Sequence, residues 1–281
     1  MIVAEKNLTQ NWQARLKLGY QNIDGRSTLI TREQFGPLAV QKALYPEGEE
    51  ICHTIVLHPP GGIAGGDRLD IDIHLGEHSK ALITTPGAAK WYKSNGQLAR
   101  QQLNFKVASN AVLEWFPQET IIFNQSHAQM NTQVELNGNG FFLGWEITCL
   151  GRVASGELFN EGELRQTTEI KKDGKKIWVE CATLKGGDVL LNSPVGLSGK
   201  PVTGIFLAAG KSIAADLIAK CREITVAENE LSGITALPDL LVIRFLGHGT
   251  QSARKYFETL WQILRPNFVG VEVCVPRIWK T

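Results

Sequence analysis

The stretch HPPGGIAGGDRLDIDI, residues 58–73, decides how this chain is read. Pro59 and Pro60 fix φ and withhold two backbone donors; Gly61, Gly62, Gly65 and Gly66 then open conformations closed to residues with side chains. Asp67 follows at once, and behind it Leu69, Ile71 and Ile73 alternate with Asp70 and Asp72, the period of a strand. A chain gathers so many permissive residues where it turns sharply, or where it lets another backbone or an ion come close. A tight loop between two strands accounts for the glycines and prolines by themselves. Asp67, set where the strand begins, makes the second reading the one to pursue.

Outward from this loop the period stays at two up to about residue 200. Leu75 continues the alternation past His74, and Leu103, Phe105 and Val107 alternate with Asn104 and Lys106. In IWVECATL (177–184), Ile177, Val179 and Cys181 fall opposite Trp178 and Glu180. Turn signals at Asn137-Gly138, Asp173-Gly174, Gly186-Gly187 and Ser193-Pro194 punctuate these runs. Short strands with frequent turns predict stacked or rolled antiparallel sheets. After residue 200 the pattern changes. VTGIFLAA and LLVIRFL read as strands, and 212–222 as a helix capped by Ser212. A second helix over 251–264 puts Ala253, Tyr256, Phe257, Leu260, Trp261 and Leu264 on one stripe. Pro266 is expected to end it, with Arg265 at the negative end of the helix dipole.

The expected fold is therefore mainly β, a large stacked or rolled β-sheet structure with two α-helices in the C-terminal third. It forms one unit over residues 1–281, β-rich over 1–200 and β/α over 201–281, with no linker between the two parts. The string GGDxL at 65–69 recurs at 186–190, too little to mark a repeat architecture.

Hydrophobic residues make up 43% of the 281, enough for a full core. Twenty-nine basic side chains against 28 acidic ones leave a net charge of +1, which steers the protein toward neither nucleic acid nor an anionic membrane. No apolar run approaches the roughly 20 residues of a bilayer span. The opening MIVAEKNLTQNW lacks the apolar core of a secretory signal. The cysteines at 52, 149, 181, 221 and 274 lack the short spacings of zinc or redox sites and read as reduced, buried thiols of a cytoplasmic protein.

GIFLAAGKS (204–212) imitates a phosphate-binding loop, but five residues rather than four separate its glycines. Four of those five continue a strand, so little loop remains to wrap phosphates. Asp239 stands at the start of LLVIRFL, not at the end where magnesium would need it. His74 and His78 flank Glu77, but a strand turning at Gly76 parts them, against a zinc or nickel store. Carboxylates are more informative. Asp67 sits in the glycine turn, Asp70 and Asp72 share a strand face, and Glu114 (LEWFPQET), Glu146 (GWEITC) and Glu180 (IWVEC) lie among apolar and aromatic residues. A buried carboxylate is costly unless paired, hydrogen-bonded or close to a cation. Exposure, or an ion pair with Lys90, Arg100 or Arg152, would account for each alone. Together they would suit a wet interior passage whose oxygen ligands hold divalent ions weakly. On the residues alone, Asp67 or Glu114 with His58 also suits the acid and base of a β-rich hydrolase.

HPPGGIAGGDRLDI resembles the signature loop of the urease accessory protein UreD family, called UreH in some organisms. Further matches run in order: FGPLAVQKALYPEG (35–48) before it, then TTPGAAKWYKS (84–94), LEWFPQETIIF (113–123), LGRVASGELF (150–159), LWQILRP (260–266) and PRIWKT (276–281). They cover nearly all of the chain beyond residue 30. Departures are small: Ala64 where many members have valine, and Ala89 where threonine is common. The resemblance implies a scaffolding chaperone, not an enzyme, built of stacked sheets with two helices. It implies a helical partner, UreF, and through it the GTPase UreG, docking together on the urease apoprotein to deliver nickel. It also implies transient Ni2+ in an internal wet passage and no tightly bound cofactor. Carried over by motif, the passage lining would include Asp67, Asp70, Lys90, Glu146 and, less directly, Glu180. Arg277 and Trp279 of PRIWKT are residue types favoured at interfaces and are the expected partner contacts, whereas Phe257 and Trp261 are expected in the core.

Overall fold

The computed structural model describes residues 11–280; the opening ten residues read above for a signal, and Thr281, lie outside them. A hairpin of β1 (Gln13–Ile23) and β2 (Arg26–Phe35) is followed by β3 (Ala39–Val40) and β4 (Ile51–Leu57). After the glycine loop come β5 (Arg68–Leu75), β6 (Lys80–Thr84), β7 (Ala89–Trp91), β8 (Ala99–Val107) and β9 (Val112–Phe116). Then follow β10 (Thr120–Ile122), β11 (His127–Leu136), β12 (Phe141–Leu150), β13 (Glu163–Lys172) and β14 (Lys175–Lys185). A single helical turn, α1 (Val189–Asn192), precedes β15 (Val202–Ala209), α2 (Ala215–Arg222), β16 (Leu231–Leu237), β17 (Leu240–Gly247) and α3 (Thr250–Val269).

These strands build two stacked sheets, mainly β as the alternation predicts. The first runs β14-β13-β11-β8-β5-β1-β2; the second runs β16-β17-β15-β12-β9-β6-β4-β3, with β10 and β7 alongside β12. From β4 onward the chain winds between them. β4, β6, β9 and β12 lie side by side in the second sheet and β5, β8, β11 and β13 in the first, every neighbour parallel. The antiparallel expectation is corrected here. A short turn ordinarily joins antiparallel neighbours. In this fold a short turn such as residues 76–79 carries the chain to the opposite sheet instead, and the next strand beside the first arrives a circuit later. Side chains alternate identically in both arrangements, so period two alone does not separate them. Among the strands described, antiparallel pairing is confined to β1/β2, β3/β4, β13/β14 and the β12-β15-β17-β16 end of the second sheet.

Leu18, Leu69, Ile71, Phe105 and Val134 of the first sheet meet Val56, Ile83, Leu113, Phe142 and Leu207 of the second. The far face of the second sheet, with Phe116, Leu143, Trp145 and Phe206, is covered by Ala253, Phe257, Leu260, Trp261 and Leu264 of α3. Phe257 and Trp261 are fully buried. Covered on both faces, β9 and β12 read as near-continuous apolar runs, VLEWF and FFLGWEITCL.

Both expected helices form, with two local corrections. α2 begins after Ala214, which caps it without a side-chain bond, so Ser212 is not the cap. Pro266 does not stop α3; it lies inside, and the helix runs on to Val269 before Gly270 turns left-handed at φ +84°. An interior proline costs a helix roughly 3 kcal/mol. Burial of the last turn offsets this, with Phe268 stacked on Phe141 at 4.1 Å. Cys181 is exposed, because the odd-numbered residues of this part of β14 face outward, and Cys274 is half-buried; Cys52, Cys149 and Cys221 are buried as expected. Among the described residues no helix is long and apolar enough to cross a membrane.

Candidate functional site

The glycine loop is held from inside by Asp67. Its buried carboxylate accepts the backbone N–H of Trp12 through Oδ1 and that of Ala64 through Oδ2, both at 2.8 Å. The loop is thereby tied to itself and to the start of β1. Gly61 and Gly66 take φ of +79° and +93°. A Cβ on Gly62 would run into the ring of Tyr92, whose hydroxyl donates to the Gly61 carbonyl. The loop therefore lies flat against β7, where the Ile63 N–H donates to the Lys90 carbonyl at 2.7 Å.

Behind this loop the two sheets do not close. A cavity of about 490 Å3 runs between them, entered past His58, Gly61, Gly62, Lys90 and residues 85–87. Apolar side chains such as Leu103, Trp115, Met130 and Phe142 form much of the wall. Polar groups enter from strand positions in the inward phase. In the first sheet, Thr132 of β11 is level with Thr168 of β13, and Thr168 with Glu180 of β14, so one inward row becomes steadily more polar toward the sheet edge. In the second, Glu146 of β12, Ile205 of β15 and Arg244 of β17 form the facing row. A second cavity of about 190 Å3 continues along these rows. It shares Glu146, Thr168 and Ile205 with the first and ends at Glu180 and Arg244.

Glu146 stands where the cavities meet. Its Oε1 accepts the Gln166 side-chain amide at 2.9 Å. Burial between the sheets pushes its carboxyl up to about 7; the Gln166 hydrogen bond opposes this and the charge of Glu180 adds to it. At neutral pH the group is thus poised between acid and carboxylate. Glu180 is engaged by Arg244 at 2.7 Å, an ion pair open to solvent. Lys90 lies exposed at the other mouth.

Of the expected acidic lining, the structure brings Glu146 and Glu180 together and leaves two residues outside. Asp67 builds the loop and faces neither cavity. Asp70 lies on the outward face of β5, where alternation keeps Leu69 and Ile71 inside, and pairs with Arg68 at 3.0 Å. Nor does the Glu114 form of the hydrolase pair assemble, and in the Asp67 form, where the Asp67 charge does act on His58, both carboxylate oxygens are taken by backbone N–H groups. Glu114 points to the helix side of the second sheet, whereas His58 lines the cavity on the opposite side. Glu114 accepts Trp261 Nε1 at 2.7 Å and both Nε and Nη2 of the fully buried Arg265 at 3.0 Å. Arg265 also holds Glu47 at 2.7 Å, so it is an internal ion-pair centre, not a solvent-exposed dipole partner. Trp279 is half-buried in its own fold, its indole N–H donating to the Thr84 hydroxyl at 2.7 Å, while Arg277 remains exposed. Gln101, Thr132, Gln166 and Thr168 escaped the sequence reading. In the inward phase Gln101 lies between Ala99 and Leu103, Thr132 between Met130 and Val134, and the pair Gln166 and Thr168 between Leu164 and Ile170, a signal present in the strands themselves. Among the described residues no three His, Cys, Asp or Glu side chains converge on a metal-sized point.

The fold and site define a coiled two-sheet β protein with an internal, carboxylate-bearing cavity. The family described as UreD urease accessory protein matches residues 13–280. Proteins named urease accessory protein UreD are 47% identical over 98% of this chain in Nitrosococcus oceani and 45% identical over 99% in Dechloromonas aromatica, covering 92% and 98% of those proteins. One from an Azoarcus species is 45% identical over 96% of this chain and 94% of its own length. The chain belongs to the UreD urease accessory protein family.

Proposed function

We propose that this chain serves urease maturation as a scaffold and conduit, without chemistry of its own, passing Ni2+ toward the urease apoprotein. In this reading it acts in the cytoplasm, in a complex with a helical UreF-type partner and through it a UreG-type GTPase. Nickel is cargo and no cofactor is retained. One observation carries the reading: Glu146, a carboxylate poised near neutrality, sits where two cavities between the sheets share a wall. A single carboxylate with water and amide neighbours holds a divalent ion far less tightly than a closed imidazole or thiolate cage, as release requires. Glu180 supplies a second oxygen site toward the outer end, Lys90 a positive charge at the inner mouth, and Asp67 the loop that shapes that mouth. Arg277, exposed in the C-terminal segment, is offered to a partner. A hydrolase is disfavoured by the sheet that separates Glu114 from His58 and by the two backbone N–H groups that hold the Asp67 carboxylate.

The test is Glu146→Gln in cells that express urease with all its accessory proteins. The variant chain is expected to accumulate and co-purify with its partners while urease activation falls roughly tenfold or more, the scale of a lost metal-site contact. Full activation would rule the conduit out and leave only a scaffold.

A further inference from the structure

We propose that His58 is a nitrogen ligand for the ion in the cavity and selects imidazole-preferring first-row divalent cations over magnesium and calcium. This rests on the conduit reading and adds to it a source of discrimination. Carboxylate, hydroxyl and amide oxygens suit magnesium, calcium and manganese, and by themselves do little to favour nickel. The cavity walls supply mostly such atoms, at Glu146, Gln101, Thr132 and Thr168. Among the described residues lining either cavity, His58 is the only imidazole, and the thioether of Met130 is the only other soft donor.

His58 has the features such a role needs. It follows β4 directly and lines the inner mouth with Gly61, Gly62 and Lys90. Its Nε2 is buried and has no hydrogen-bond partner, an unmet requirement that packing does not explain. Burial keeps the ring below its ordinary pKa, against the opposing charge of Asp67, so the neutral form that can ligate prevails at neutral pH. The backbone behind it is fixed, with the Gly61 N–H donating to the His58 carbonyl and two prolines between them. His58 lines the cavity, and in this proposal its side chain changes rotamer to bring Nε2 to an ion inside. The ion would then pass from an imidazole at the mouth to an oxygen site at Glu146.

The experiment compares His58→Gln, His58→Cys and Glu146→Gln in the full chain, co-expressed with urease and its accessory proteins over a series of nickel concentrations. With His58→Gln, half-maximal activation should need roughly tenfold more nickel and become sensitive to added magnesium. His58→Cys, which restores a soft ligand, should recover much of the low-nickel response. Wild-type nickel dependence in His58→Gln, or no recovery in a well-folded His58→Cys, would overturn the proposal. If Glu146→Gln still lowers activation, only the imidazole role is lost; if Glu146→Gln is also silent, the conduit falls with it. Folding of the variants is bypassed by a second measurement on the wild-type chain. NiCl2 should broaden the His58 imidazole resonances paramagnetically while a large excess of MgCl2 leaves them unchanged, and unbroadened signals would refute the site.

Discussion

The guanidinium of Arg244 on β17 meets the carboxylate of Glu180 on β14 at 2.7 Å, joining the two sheets where the smaller cavity ends. β14 is an edge strand, bonded within its sheet only to β13. The pair therefore bridges the two layers at the edge of the first sheet. Both groups are partly exposed, so its share of stability is small, about 0–1 kcal/mol. Its larger effect is electrostatic, on Glu146 next door.

That effect has a sign. The negative charge of Glu180 raises the Glu146 carboxyl. Glu180→Gln should lower the Glu146 pKa from about 7, and Arg244→Ala should raise it by leaving the Glu180 charge uncompensated. NMR titration of 13C-labelled carboxyl groups, with Glu146→Gln for assignment, reads both shifts. Two variants that titrate like wild type would mean that the residues do not sense each other.

Stability should carry the same imprint. A carboxyl raised from its ordinary 4.5 to about 7 by folding binds its proton more tightly in the native state. Its contribution is fully present below the unfolded value and is lost as pH rises through the folded one. Between about pH 5 and about pH 8 the wild type should lose on the order of 1–3 kcal/mol relative to Glu146→Gln. Urea unfolding of both proteins across that range measures it, and parallel curves would contradict it.

Arg265 makes a different demand. It is fully buried and divided between Glu114 and Glu47, and it fixes α3 against the second sheet. Arg265→Leu leaves Glu114 buried without its cation and should cost about 3–5 kcal/mol. Arg265→Lys should recover only part, because an ammonium cannot serve two carboxylates with the same fork of donors. Urea midpoints decide this, and a Leu variant as stable as wild type would show that water reaches Glu114.

Much of this was legible in the strands. The alternation around Leu69, Ile71 and Ile73 names a core face correctly, and the apolar and aromatic neighbours in LEWFP and GWEIT mark Glu114 and Glu146 as carboxylates in need of an explanation. Two things were hidden. Parallel winding leaves no trace in a single strand, because its partner lies a full circuit away. Partner choice for buried charge depends equally on distant sequence: Glu114 is answered by Arg265 from a helix that closes the far face, not by the nearer Lys90, Arg100 or Arg152. Asp67 and Asp70 lie three residues apart, yet one caps a loop and the other faces solvent, a difference of strand phase that the motif alone does not express.

The most direct measurement is anomalous diffraction at the nickel absorption edge from crystals of the chain, alone or with its helical partner, soaked in NiCl2. The account predicts a nickel peak between the sheets within bonding distance of the Glu146 carboxylate, lost in Glu146→Gln. Nickel found only on the outer face, at Asp70 and Asp72, with the space around Glu146 free of metal, would contradict it.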